Sequence, residues 1–543
     1  MTSRRSFLGL LGVLAVSGAV APAVVGCASQ PGSVDTSGLD LITTDISEPQ
    51  RTLIPADSND VPGQTIINLV YSGLMYLDED GDAHYDMAES ITQVDDTTYD
   101  VVIREDAVFS DGSSVTAADF VDTWNTAVRQ SLLSAYSFEP IQGFHEGRQT
   151  MRGLRETGEK SFRIELSRPT AGFLERLGYS VFFPMRSKDQ DKLNERGTDP
   201  IGSGPYVLAS WEHDKSLVLL PNPQYKGPRT PRNDGIKFVV YSSEKQAYED
   251  LMEGRLDVLT RIPSEKLDSF DKELGASALT TPGGSIMEIT IPANESNFRG
   301  EAGRLRRRAL SMAVDRERIA REVFHDMVVP ATSFVAPLSG TTPPAPKGAD
   351  VLTYQPDQAR ELWAQAEKLD PFTGVFTIAY NVDGGHKTWI DAVAKHLTDT
   401  LGVPAEGQEF DSLKDLRQEV IARHITGAFR TIWQAEFPEE STFLAPLYAS
   451  YSSANESGFY SSEYDELLEK AGKAHGHDMT QKYYAEAQSL LLEEMPAIPL
   501  WSTKSYTAYG KDVVPAGYTW KPTPNYYLIH RSYSSKGSVR LKE

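Results

Sequence analysis

Apolar and polar residues alternate along 161–168, SFRIELSR, and this period of two predicts a short strand. In 97–128, TTYDVVIREDAVFSDGSSVTAADFVDTWNTAV, an extended run from Tyr99 to Arg104 is followed by a turn at Asp111-Gly112. Phe120, Trp124 and Val128 then recur at helical spacing behind a Thr116-x-x-Asp119 capping box. The stretch 202–225, GSGPYVLASWEHDKSLVLLPNPQY, reads as two strands around a turn, closed by Pro221 and Pro223. Next come an apolar strand (IKFVVYSS, 236–243), a helix stopped at Gly254, and another strand (EKQAYEDLMEGRLDVL, 244–259). GGSIMEITIPA (283–293) predicts a further strand, and 301–324 predicts two helices, the second capped by Asp315. Three more amphipathic helices are expected in 355–369, 389–402 and 480–495, stopped near Pro371, at Gly402 and before Pro496. Strands and helices interleave throughout, so the class is α/β or α+β.

A chain of 543 residues is too long for one core and implies two or three domains. Its formal charge of −23 would repel phosphates, which excludes nucleic acid as a natural partner. The N-terminus has Arg4-Arg5, an apolar run from Phe7 to Val25, and small residues, the layout of an export signal over residues 1–26. S-R-R-x-F-L resembles a twin-arginine signal, and VVGC resembles a bacterial lipobox. The latter implies cleavage before Cys27 and lipid attachment to its sulfur. A plain membrane anchor is the alternative, weakened by Gly18, Pro22 and Gly26. Cys27 is the single cysteine, so neither a disulfide nor a cysteine-based metal site is available. Polar, small residues make 27–38 a flexible tether.

No G-x-S-x-G, H-E-x-x-H or P-loop pattern occurs, and no cofactor, metal or catalytic role is expected. His475 and His477 lie in a polar interhelical loop without a further ligand, and RLRRR (304–308) reads as a solvated face with ion pairs. The run 431–444, TIWQAEFPEESTFL, sets Glu436 among Trp433, Phe437 and Phe443. It is either a loop whose aromatics dock on the core while its acids face water, or a pocket for a positive charge. Glu439 and Glu440 are expected at the surface.

Several blocks, in order, resemble the solute-binding proteins of peptide ABC transporters (family 5, oligopeptide-binding type). FSDGSSVTAADFVDTW is similar to the family's F-S-D-G-x-x-V-T-A-x-D-F signature, and IGSGPYVLASW…LLPNPQY to its G-[TS]-G-P-Y…N-P-x-Y segment. RRRALSMAVDRERI is similar to its R-x-A-L helix pair, and MPAIPLWSTKSYTAYGKDVVPAGYTW to its C-terminal pattern. The resemblance implies an α/β, two-lobed periplasmic-binding-protein-like fold with mixed sheets, a hinge and an extra inserted domain. Residues 39–60, 184–283 and 505–543 would form lobe I, 61–183 the inserted domain, and 284–504 lobe II.

The resemblance also implies a site. Trp433-Gln434-Ala435-Glu436 is similar to a W-x-A-D segment whose acid pairs with a peptide α-ammonium, with Glu replacing Asp here. GQEF resembles a Q-E-W segment lining a side-chain pocket, with Phe410 in place of Trp, although core packing accounts for Phe410 equally well. Arg423, His424 and Arg430 fall where family members supply cations for a peptide C-terminus; a helix or strand surface is the alternative. Glu48 lies on an early segment resembling one that faces the cleft, and the strand holding Met287 and Glu288 would hydrogen-bond an extended peptide through its backbone. The implied molecule is a non-enzymatic, monomeric lipoprotein on the outer face of the cytoplasmic membrane. Its implied partners are short peptides, an ABC permease and its ATPase. Competing readings are a same-fold receptor for a nickel chelate, haem, an oligosaccharide or an opine; a lipid-anchored hydrolase; and an adhesin or signalling receptor.

Overall fold

The computed structural model describes residues 36–58, 60–145, 149–338, 345–474, 476–516, 521 and 523–532. The leader, Cys27 and His475 lie outside the described residues.

Two thirteen-residue strands, Ala278–Thr290 and Ala497–Tyr509, pair antiparallel at the centre of an eleven-stranded mixed sheet. At one end Ala278–Pro282 faces Lys504–Ala508, and Val258–Leu259 continues the sheet through Ile42–Ile46 and Ile236–Val240 to the antiparallel pair Ser216–Pro221 and Tyr206–Glu212. At the other end Ser285–Thr290 pairs with Ala428–Gln434, which is followed by Phe376–Asn381 and Ala405–Phe410 in parallel. Between the two ends the register of the long pair breaks, from Pro282 to Ile286. Gly284 sits in that break with φ +63°, a conformation that disfavours a side chain. A Cβ on Gly283 would meet Thr503 Oγ1 at 2.4 Å, so the strands approach too closely for any other residue.

Of the five apolar cores among the described residues, three are large. One gathers the second half of the chain, from Ile286 to Trp501. Another joins Ile42, Phe183, Phe238, Tyr509 and Tyr526. A third lies within 56–182, where the helix Ala117–Arg129 covers a four-stranded antiparallel sheet. The capping box forms as expected, with the Asp119 carboxylate accepting from Thr116 N–H at 2.7 Å. From that helix buried Phe120 stacks on Phe162 of the alternating strand, and buried Trp124 meets the same ring edge-on.

The arginine run forms the expected ion pairs, Arg304 with Glu301 and Glu493 and Arg307 with Glu494, but it is not a solvated face throughout. The helix Gly300–Met312 packs against Pro356–Leu369, and this buries Arg306 completely. Its guanidinium donates to the Asn297 carbonyl at 2.7 Å and pairs with Glu367 at 3.0 Å. Its carboxylate partner is 61 residues away in the sequence, which the local run cannot reveal.

Candidate binding site around Glu436

The strand Ala428–Gln434 delivers the candidate segment to the end of the sheet. Trp433 donates from Nε1 to the Thr442 carbonyl at 2.8 Å, and the Glu436 N–H donates to Thr442 Oγ1 at 2.9 Å. Two bonds onto one residue of the following helix, Ser441–Tyr448, thus fold the segment back and fix the direction of Glu436. Glu436 is only 8% exposed.

Its carboxylate accepts a short hydrogen bond from the Tyr136 hydroxyl, three hundred residues earlier in the chain. The Tyr136 and Trp433 rings lie 6.4 Å apart. Burial raises the Glu436 carboxyl above the ordinary carboxylate range, opposed by the Tyr136 bond and by the charges of Arg176 and Lys521. Burial in turn lowers the Lys521 ammonium to about 8, with Glu436 holding it up. Glu436 therefore already faces cationic nitrogen.

A cavity of about 350 Å³ opens beside it, walled by Tyr136, Glu139, Arg168, Arg176, Glu436 and Tyr451 among others. One wall comes from 136–176 and the other from 436–452. Glu139 accepts from the Ser453 N–H at 3.0 Å and Arg168 lies 3.5 Å from the centre of the Tyr451 ring, so both contacts bridge the walls. No motif in the sequence singled out Tyr136, Glu139, Arg168 or Arg176; each becomes visible only when distant segments meet.

The other expected residues are scattered. Arg430 donates from Nε to Asn381 Oδ1 at 2.8 Å, and Phe410 is in register with Asn381, so these three come together on the far part of the sheet. Burial, and secondarily Arg417, lowers the Arg430 guanidinium to about 10. Nearby His386 is lowered to about 4 by burial and then by Arg430, so it is neutral at physiological pH. Phe410 also packs on the cluster of Leu416, Val420 and Phe429. Arg423 sits in a left-handed turn, φ +59°, and donates to the Glu456 and Asn455 carbonyls. Exposed His424 contacts Glu419. Glu48 fastens a hairpin turn instead, accepting from Trp211 Nε1 at 3.1 Å and from the Asp214 N–H at 3.1 Å.

Two expectations need correction. Met287 and Glu288 have strand neighbours on both sides, Ile432 and Thr431 on one and Trp501 and Pro499 on the other. A strand with both edges paired has no backbone groups left for an extended ligand. Their side chains are buried as well: Met287 is in the core, and the Glu288 carboxyl accepts from the Tyr448 hydroxyl at 2.6 Å. Nor is Glu440 a surface acid; it is buried and takes a 2.8 Å bond from Gln488 Nε2. Burial, reinforced by Glu439, pushes its carboxyl up to about 8.

Burial likewise pushes Glu288 up to about 8 from its ordinary 4.5, against the Tyr448 bond. The folded chain thus keeps a proton that the unfolded chain releases, and this contribution to stability falls as pH rises through that window. Glu288→Gln is expected to flatten the decline. Thermal midpoints of both proteins at about pH 5 and about pH 8 test this, and parallel declines would contradict it.

Among the described residues no group of three or more His, Asp or Glu side chains is placed to hold a metal ion. The profile of the family described as "Bacterial extracellular solute-binding proteins, family 5 Middle" matches residues 82–455. The chain is 25% identical over 509 residues to the dipeptide-binding protein DppE of Bacillus subtilis, covering 88% of this chain and 91% of that one. It is 25% identical over 539 residues to the periplasmic oligopeptide-binding protein OppA of Salmonella typhimurium, covering 94% and 95%. Among solved structures, the Escherichia coli murein tripeptide binding protein MppA superposes with a TM-score of 0.73 at 22% identity, covering 90% of this chain and 98% of that one. The Haemophilus influenzae OppA complex with the peptide RPPGFSPFR also gives 0.73, at 19% identity, with 91% and 99% covered.

Proposed function

The chain belongs to family 5 of the bacterial extracellular solute-binding proteins, and we propose that it captures short peptides and delivers them to the permease of an ABC importer. Members of this family are binding proteins rather than enzymes, and the ligand is released unaltered. The observation that carries the peptide reading is Glu436, a buried carboxylate beside an open cavity and an indole. Taking an ammonium out of water is favourable only where an opposite charge and hydrogen bonds receive it. An aromatic ring nearby adds attraction. The named relatives that bind dipeptides and oligopeptides support the same choice of ligand.

In this proposal the peptide's α-ammonium meets Glu436 and its carboxylate meets Arg430. The six residue steps from one to the other span at most about 20 Å of extended chain, which suits a ligand of a few residues. Residues 39–60, 184–283 and 505–543 act as lobe I, 61–183 as the inserted domain and 284–504 as lobe II. Closure about the two long strands, with the register break at 282–286 as the flexing point, presents the loaded form to the permease. Export through the 1–26 leader and lipid attachment at Cys27 would hold a monomeric receptor on the outer face of the cytoplasmic membrane.

Calorimetric titration of the purified protein with tri- to pentapeptides tests this, with chromatography of the recovered ligand. Saturable binding and intact peptide are the expected results. Binding confined to a metal chelate, haem or a sugar would replace peptides as the ligand class, and cleaved peptide would make the protein a hydrolase.

A further inference from the structure

The cavity beside Glu436 contains more than an ammonium requires. Its walls carry two carboxylates, Glu436 and Glu139, and two guanidiniums, Arg168 and Arg176. These four charges balance before any ligand arrives. An α-ammonium placed against Glu436 would then leave one positive charge in excess, in a space where water screens poorly. Lys521, whose charge also acts on Glu436, adds to the excess.

The arginines are not saturated by what surrounds them. Arg176 is 8% exposed and donates from one Nη to the Ser137 carbonyl at 3.1 Å. Its guanidinium carbon also lies 5.1 Å from the centre of the Phe437 ring, and its charge acts on Glu139 and Glu436. Its Nε is buried with no hydrogen-bond partner among the described residues. A buried donor left without an acceptor is costly, so Arg176 stands on the cavity wall short of its full set of hydrogen bonds. Arg168, half-buried over Tyr451, presents a second guanidinium to the same space. Glu139 is engaged already, by the Ser453 N–H. The two guanidiniums therefore keep donors with few oxygen partners, although the walls also carry two carboxylates.

Resting on the assignment of Glu436 to the peptide ammonium, we propose that this cavity receives the side chain of the ligand's first residue and selects an acidic one, with Arg168 and Arg176 taking its carboxylate. A volume of about 350 Å³ holds one glutamate-sized side chain with a few waters. Guanidinium forks match a carboxylate in geometry as well as charge. A lysine or arginine in first place would instead bring a third cation among the two already there.

The test is calorimetric titration of the purified protein with Glu-Ala-Ala, Gln-Ala-Ala, Ala-Ala-Ala and Lys-Ala-Ala, repeated on Arg168→Gln and Arg176→Gln. The glutamate peptide should bind about tenfold or more tighter than its glutamine counterpart, with the lysine peptide weakest. Either substitution should bring the glutamate and glutamine peptides within about twofold of each other while Ala-Ala-Ala still binds. Should Arg176→Gln fail to fold, Arg168→Gln at the cavity rim decides the matter alone. Equal affinities for the four peptides overturn the acidic selection and leave the ammonium site standing. If none of the four binds, both assignments fall together.

Discussion

Glu436→Gln will weaken peptide binding by about a hundredfold or more, because a buried ammonium left without its counter-charge typically costs ~3–5 kcal/mol. The substitution keeps shape and an oxygen for the Tyr136 hydroxyl, so the loss reports charge rather than packing. Arg176 and Lys521, whose charges act on Glu436, would then act on the ligand's ammonium in the absence of that carboxylate. N-acetylation of the peptide should cause a comparable loss in the wild type and little further loss in the variant, since both changes remove the same pair. Glu436→Asp keeps the charge and should retain part of the affinity. The acidity of the site adds a pH dependence. Burial raises the Glu436 pKa, so the carboxylate is protonated sooner than an exposed one as pH falls, and wild-type affinity should drop with it. The Gln variant has no such group, and its weak binding should be flat over the same range. Isothermal titration of acetylated and free peptides decides this; an acetylated peptide bound as tightly as the free one would return Glu436 to a structural role.

The half of this site that was legible in the sequence is the half built from neighbours. Trp433 and Glu436 sit three residues apart and are fixed by Thr442, six residues beyond Glu436, so a local pattern contains them. The opposite wall comes from 136–176 and has no local signature. Tyr136 lies on a short helical turn, Ala135–Phe138, whose sequence is ordinary. The same division runs through the fold. The helix Ala117–Arg129 is legible because its cap and its four-residue spacing are local. The strand expected from 283 onward begins at Ala278, because ALTTP gains its extended form from pairing with Lys504–Ala508, not from its own residues. Met287 and Glu288 read as ligand contacts because an extended run resembling a cleft strand offers its backbone, and the sequence does not show that both of its edges are paired. The Glu288 partner Tyr448 is 160 residues away, so only tertiary structure shows that carboxyl to be satisfied. The helix Val61–Val70 opens on Pro62 and Gly63, so its start carries no local helical pattern. In the structure Asp60 caps it by accepting from the Gly63 N–H, and proline in the first turn forfeits no helical bond.

The other large effect is expected far from the ligand, at Arg229. Its guanidinium is almost fully buried and pairs through Nε with the buried Asp86 carboxylate at 3.1 Å. It also donates to the carbonyls of Asn68 and Tyr71 and to the Ser72 hydroxyl. Tyr225, the last residue of the N-P-x-Y segment, donates to the same carboxylate at 3.0 Å. This single network clamps 68–72 and Asp86 onto the loop that follows the hairpin Tyr206–Pro221. Arg229→Ala should therefore lower folding stability by ~3–5 kcal/mol, since it strands a buried carboxylate and three other acceptors. Denaturant midpoints should show the loss, and a loss below about 1 kcal/mol would mean that water reaches the pair. Adding Asp86→Asn to Arg229→Met should recover part of it, because the uncompensated charge is then gone. The loosened protein should also bind peptide more weakly, because a smaller share of it is folded. What separates this from damage at the site itself is selectivity. In Arg229→Ala the ratio of affinities for free and acetylated peptide should stay near the wild-type value, because Glu436 still meets the ammonium in every molecule that folds. In Glu436→Gln that ratio should collapse towards one while stability changes far less.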